Sequence, residues 1–121
     1  MTPGLVALVA LAGGIGAGLR WLVDVLLSRV VPRGFPWAIL AVNVSGSLAL
    51  GVLTGAALGW PWLAIAGTGL LGGYTTFSTV SLDAAAFLRE GQVRKALLDA
   101  LGTLALCVAA AAAGVAIGAL V

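Results

Sequence analysis

Eight consecutive residues hold the densest chemistry in the chain: Gly72-Gly73-Tyr74-Thr75-Thr76-Phe77-Ser78-Thr79. They combine paired glycines, a run of aliphatic hydroxyls and two aromatic rings within an otherwise apolar stretch. Glycine and β-branched threonine are both mediocre helix formers. Set side by side they predict an unwound segment. At mid-membrane depth an unsatisfied peptide group costs several kcal/mol, so irregular backbone survives there only where protein covers it or it lines a cavity. Broken helices of this kind offer carbonyls to cations and N–H groups to anions. The alternative is a continuous helix whose hydroxyls bond back to their own carbonyls. Gly-Gly directly abutting the hydroxyl run favours the break.

Other polar residues are few. Asn43 stands in an apolar run, and Asn43, Ser47, Gly51, Gly55 and Gly59 recur every fourth residue, drawing one polar-then-small stripe down a helix face. Such a stripe is by default a helix contact. The Asn amide, with two donors and two acceptor lone pairs, bridges helices or faces a wet cavity, and spacing alone leaves both open. Arg20 and Asp24 are four residues apart and suited to pair on one face. Asp24 reads as a helix-end residue, whereas Arg20 reads equally as a snorkelling anchor or as a functional cation. Asp99 is expected near an interface, one turn after Lys95. Thr103 and Cys107 share a face, with Cys107 packing as a small hydrophobe.

The elements that must carry these residues are membrane spans. Of 121 residues, 62% are hydrophobic and 8% charged, with mean hydropathy +1.20; a soluble domain carries about 25% charge. A span needs roughly 20 apolar residues, and runs at about 4–23, 37–58, 62–88 and 96–120 supply four. The expectation is an all-α membrane protein, one four-helix transmembrane domain over 1–121, with a break in the third helix. The first run lacks the basic flank of a cleaved signal peptide. Trp37, Trp60 and Trp62 mark interfaces, and the short Gly59-Trp60-Pro61-Trp62 connection makes the second and third spans antiparallel neighbours. With 18 glycines, close helix packing and an oligomer are expected. No histidine and one cysteine exclude His/Cys metal sites and an intrachain disulfide. A net charge of +2 is too small and dispersed for nucleic acid. No enzymatic constellation is visible.

Arg20, Arg29, Arg33, Arg89, Arg94 and Lys95 all fall in or beside the 1–2 and 3–4 connections. The positive-inside rule then puts these connections in the cytoplasm and both termini outside, in a multi-pass protein of the cell membrane.

With these residues in hand, the chain resembles the Fluc (CrcB) family of fluoride channels. The resemblance is carried by Gly13-Gly14-Ile15-Gly16-Ala17 leading to Arg20, by Val42-Asn43-Val44-Ser45-Gly46-Ser47, by the Gly72–Thr79 stretch and by the four-span layout. It implies a passive channel that exports fluoride and lowers its toxicity, built as an antiparallel dimer with two narrow pores. It implies a structural sodium ion at the dimer centre, held by backbone carbonyls of Gly72 and Thr75. It implies that Asn43 donates to fluoride, that Phe77 offers its ring edge, that Ser78, Thr79 and Thr103 line the pathway, and that Arg20 belongs to the vestibule, where its charge gathers anions. Two positions depart from the family pattern: Val80 replaces a second phenylalanine, and Asp99 stands near where the family has tyrosine. Homodimers of this kind must insert both ways, which calls for weak charge asymmetry. The strong bias here favours an oppositely oriented paralogue as partner over a self-dimer.

Two other readings fit four short spans. A small multidrug or cation transporter needs a carboxylate embedded in the first helix, where only Asp24 at the helix end is available. A structural, pore-forming subunit needs the glycines but not the Thr/Ser/Phe cluster.

Overall fold

The computed structural model describes every residue, Met1–Val121. It is wholly helical: α1 (Pro3–Leu27), α2 (Trp37–Gly55), a π-helix (Leu63–Leu71) running straight into the short α3 (Gly72–Tyr74), then α4 (Ser78–Arg89) and α5 (Val93–Gly118). α1, α2 and α5 are each long and apolar enough to cross a bilayer. The π-helix, α3 and α4 together make the remaining crossing, interrupted after Tyr74. The architecture is thus four transmembrane helices with a break in the third. α1 begins on Thr2, whose hydroxyl accepts the Leu5 N–H (3.3 Å) with Pro3 in the first turn, the usual N-terminal arrangement. It runs on past Arg20 and Asp24 to Leu27, longer than its apolar core.

α2 packs chiefly on α5, and α1 chiefly on the π-helix and α3. The tight 59–62 connection therefore joins α2 to the π-helix, while the main partner of each lies elsewhere. Glycine decides both contacts. A Cβ on Gly51 would meet the Ala111 carbonyl and come within 3.0 Å of the Gly114 Cα, and one on Gly114 would meet the Leu48 carbonyl. The lower part of the stripe, Gly51 and Gly55, is thus the α2 side of a backbone-to-backbone contact with the Gly114–Gly118 turn of α5; Gly59, with nothing within 4 Å, lies beyond it. In α1, Gly16 sits on the Leu70 carbonyl and Gly13 on Gly73. Lipid gives no hydrophobic drive to such contacts, so close van der Waals approach carries them.

The two charged connections meet at one end of the molecule. Gly34, at φ +99, allows the turn whose carbonyl accepts from Lys95 Nζ (3.2 Å). Phe35 packs on Trp37 (centroids 4.8 Å) and on Phe87 (6.3 Å), with Lys95 5.8 Å above Phe87.

Replacing Gly114 by valine should lower stability by about 1–3 kcal/mol through overpacking. Gly4→Ala, where nothing lies within 4 Å, should leave it unchanged. Thermal unfolding of the detergent-solubilised variants reads the difference.

Candidate functional site

The interruption is shorter than the eight-residue motif. Gly72-Gly73-Tyr74 stays helical; Thr75 turns extended at ψ 159, and winding resumes at Ser78. Back-bonding does occur, but at Thr75, where both N–H and Oγ1 donate to the Leu71 carbonyl (2.9 Å each), and at Ser81, whose hydroxyl donates to the Phe77 carbonyl (3.0 Å).

At the next residue the main chain is rescued from outside its own helix. The Thr76 N–H donates to Asn43 Oδ1 (2.7 Å), and Asn43 Nδ2 donates to the Thr76 carbonyl (3.0 Å). Both residues are buried. The Asn43 amide thus does for Thr76 what a peptide on a neighbouring strand would do, and it uses one of its two amide hydrogens in the process. Of the two roles open to Asn43, bridging is realised. Because Asn43 also borders the groove described below, its second amide hydrogen remains for whatever enters there.

Thr76 passes the order onward. Its Oγ1 accepts the Thr79 N–H (3.2 Å), capping a free donor at the start of α4. It also lies 3.2 Å from Ser78 Oγ and 3.1 Å from Thr79 Oγ1. Gly46 on α2 lets the break lie close, with the Thr75 methyl and, at 3.1 Å from a built Cβ, the Tyr74 ring against it. Tyr74 Oη and Ser45 Oγ are 3.1 Å apart.

The carbonyls from Gly72 to Thr75 are left over: Thr76 N–H goes to Asn43, Phe77 N–H makes no bond, and no other donor reaches any of the four. Gly72 is exposed and Thr75 half-buried.

These residues border a groove of about 810 Å³ between α2, the π-helix, α4 and α5. It brings together Asn43, Gly72, Thr75, Thr76 and Phe77 with Thr103 of α5. The Phe77 side chain is 85% exposed and stands away from the rest of the chain. Ser78 and Arg20 lie outside this groove, and Thr79 instead borders a second cavity of about 360 Å³ beside Asp24 and Asp83. One expectation is corrected: Asp24 accepts from Ser28 Oγ (3.3 Å) and forms no ion pair with Arg20. Asp99 is enclosed by the fold, at 2% exposure. Ser81 borders the groove and was missed; its position four residues after Phe77, on the same helix face, was the available signal.

A multi-pass helical membrane protein with a mid-span break, an amide clamp and a polar-edged groove belongs to the small channels and transporters rather than to membrane-embedded scaffolds. The particular family follows from comparison. The model of the family described as "CrcB-like protein, Camphor Resistance (CrcB)" matches residues 7–115, and the chain belongs to that family. Among its relatives are the fluoride-specific ion channel FluC 1 of Leifsonia xyli subsp. xyli, 45% identical over 99% of this chain and 90% of the relative. FluC 1 of Symbiobacterium thermophilum is 44% identical over 92% and 94%. FluC 2 of Nitrobacter hamburgensis is 38% identical over 91% and 93%.

Removing the Asn43 amide strands two buried backbone groups, each worth about 1–3 kcal/mol. Asn43→Ala should therefore destabilise the protein in thermal unfolding by more than Ser45→Ala does.

Proposed function

We infer that this chain is a protomer of a passive, fluoride-selective channel that exports fluoride from the cytoplasm. The observation that carries it is the Asn43–Thr76 clamp at the edge of the groove, in a chain whose relatives are fluoride-specific ion channels. Fluoride is small and strongly hydrated, so a pathway must offer hydrogen-bond donors in place of its water. Asn43 supplies an amide hydrogen and Phe77 the electropositive edge of its ring; Thr103 borders the groove with its hydroxyl buried, so a turn of its side chain presents that donor. Ser78 and Thr79 extend the hydroxyl run at the start of α4. Arg20, near the charged end of α1, serves the vestibule by raising the local anion concentration. An inside-negative potential contributes about 2.3 kcal/mol per charge per 100 mV, which drives the anion outward without any other energy source.

The functional unit is a dimer. Four bare carbonyls and an outstanding phenylalanine at mid-span require a cover other than lipid, and a second protomer laid on the groove supplies it. The Gly72 and Thr75 carbonyls, lacking donors, have the chemistry to hold a sodium ion between protomers. Such an ion would neutralise the carbonyl dipoles and lock the two breaks together. The arginines and lysine cluster at the end where the two charged connections meet, which favours cytoplasmic connections and external termini. An orientation this strongly biased favours an oppositely inserted paralogue as the partner.

Liposomes reconstituted with the chain and its partner should release fluoride and retain chloride. Phe77→Leu and Thr103→Val should each lower fluoride release at least tenfold while leaving the assembled protein intact on size exclusion. Unchanged release in both variants would remove their assigned roles, and chloride release equal to fluoride would remove the selectivity. Expression alone should give no conducting species; a fluoride-conducting dimer from one gene would replace the paralogue by a self-dimer.

A further inference from the structure

Apart from Arg20, which the vestibule uses, the cations of the chain are Arg29, Arg33, Arg89, Arg94 and Lys95. They come from both charged connections, and one contact draws those connections together. Lys95 Nζ donates to the Gly34 carbonyl (3.2 Å), so Arg33 and Arg94, far apart in sequence, flank a single bonded pair. The Phe35 and Phe87 rings, 6.3 Å apart, pack beside it and hold the two connections side by side. Lys95 is the only cation with a hydrogen-bond acceptor. The four arginines of this end are exposed and have no ion-pair partner.

The acids do not offset them. Of the four in the chain, Asp99 is enclosed, and Asp24 and Asp83 border the second cavity. Arg33 borders that cavity as well, yet forms no ion pair there. Glu90 alone stands exposed among the arginines. A guanidinium is a fork of N–H donors with no acceptor, matched to the oxygens of a phosphate. Unpaired forks gathered at one end call for an anion.

Their neighbours indicate which anion. Exposed Trp37 opens α2 at this end, where an indole marks the headgroup layer. Arg94 also heads an apolar stripe on α5. Leu98, Leu101 and Val108 follow it by four, seven and fourteen residues, which puts them on the same helix face, and all three are exposed. Of these only Leu101 borders the Asn43 groove, so a second protomer laid on the groove leaves the stripe to lipid. A cationic head above an apolar track matches a phospholipid, phosphate at one end and acyl chain along the helix.

We propose that the charged end of this chain binds an anionic phospholipid, with its phosphate between Arg33 and Arg94 and an acyl chain along Leu98, Leu101 and Val108. The inference does not depend on what the groove conducts. A zwitterionic lipid offers the same phosphate and chains, but its choline brings a further cation to a surface already rich in them. Selectivity therefore follows from charge, at about fivefold for each arginine near the headgroup.

Native mass spectrometry of the detergent-solubilised protein reads the bound lipid. The probes are phosphatidylglycerol and phosphatidylcholine with identical acyl chains, at equal concentration. The wild type should retain phosphatidylglycerol about tenfold more than phosphatidylcholine, and the preference should shrink as ionic strength rises. Arg33→Gln with Arg94→Gln should weaken phosphatidylglycerol retention about 25-fold, the product of the two arginines. Glu90→Gln, which removes the one acid at this surface, should strengthen it. Leu98→Asn should weaken both lipids alike. Equal retention of the two lipids overturns the proposal, as does unchanged retention in the double arginine variant. Displacement of the lipid by inorganic phosphate makes this a site for free anions and overturns the lipid assignment. Should the double variant fail to assemble, the salt series on the wild type decides: a preference that salt leaves unchanged overturns the proposal.

Discussion

A peptide group with no hydrogen-bond partner does not survive in hydrocarbon, and the third crossing of this protein is organised around that constraint. The helix stops at Tyr74 and restarts at Ser78, which strands donors and acceptors on both sides. Three devices answer the problem locally. The Asn43 side chain pairs with both backbone groups of Thr76. The Thr76 hydroxyl caps α4. The Thr75 hydroxyl and N–H both return to Leu71. What the chain leaves unanswered, the carbonyls from Gly72 to Thr75 and the Phe77 N–H, lies at the break, where the second protomer and the cation proposed above would complete the account.

The rest of the fold serves to hold that break at a defined place. Asn43 is useful only if α2 stays within reach of Thr76, and α2 is itself set against α5 by Gly51 and Gly114, whose backbones touch. From the other side, Gly16 and Gly13 of α1 seat the π-helix and Gly73. A larger residue at either contact would move the clamp by more than a hydrogen bond tolerates. The glycines are therefore coupled to the site although none of those four supplies chemistry to it.

Much of this was legible in the residues. Gly-Gly before a hydroxyl run forecast the break, although only Thr75 to Phe77 leave the helix. The Gly72-Gly73-Tyr74 turn stays wound because its N–H groups still find carbonyls in the π-helix before it. The four-residue stripe from Asn43 forecast a helix contact, and its partner Gly114/Gly118 was visible as a second small-residue pair. Other features lay beyond the reach of spacing. The π-helix carries no composition distinct from an apolar α-helix. The i,i+4 rule suggests an Arg20–Asp24 pair but does not weigh it against the Ser28 hydroxyl, which Asp24 takes instead. Asp99 lies near a charged connection in sequence, and nothing local records that the fold encloses it. Asn43 could bridge or line, and only the position of Thr76 across the chain decides that it does both.

The claim on which all else depends is that the Asn43 amide replaces helical partners for a non-helical Thr76. Solid-state nuclear magnetic resonance in lipid bilayers measures it directly, with the Asn43 side-chain nitrogen and the Thr76 carbonyl carbon labelled. A short dipolar distance consistent with the 3.0 Å hydrogen bond, together with extended shifts at Thr75, is the expected result. No coupling between the two labels, with helical shifts throughout residues 72–79, would contradict the account.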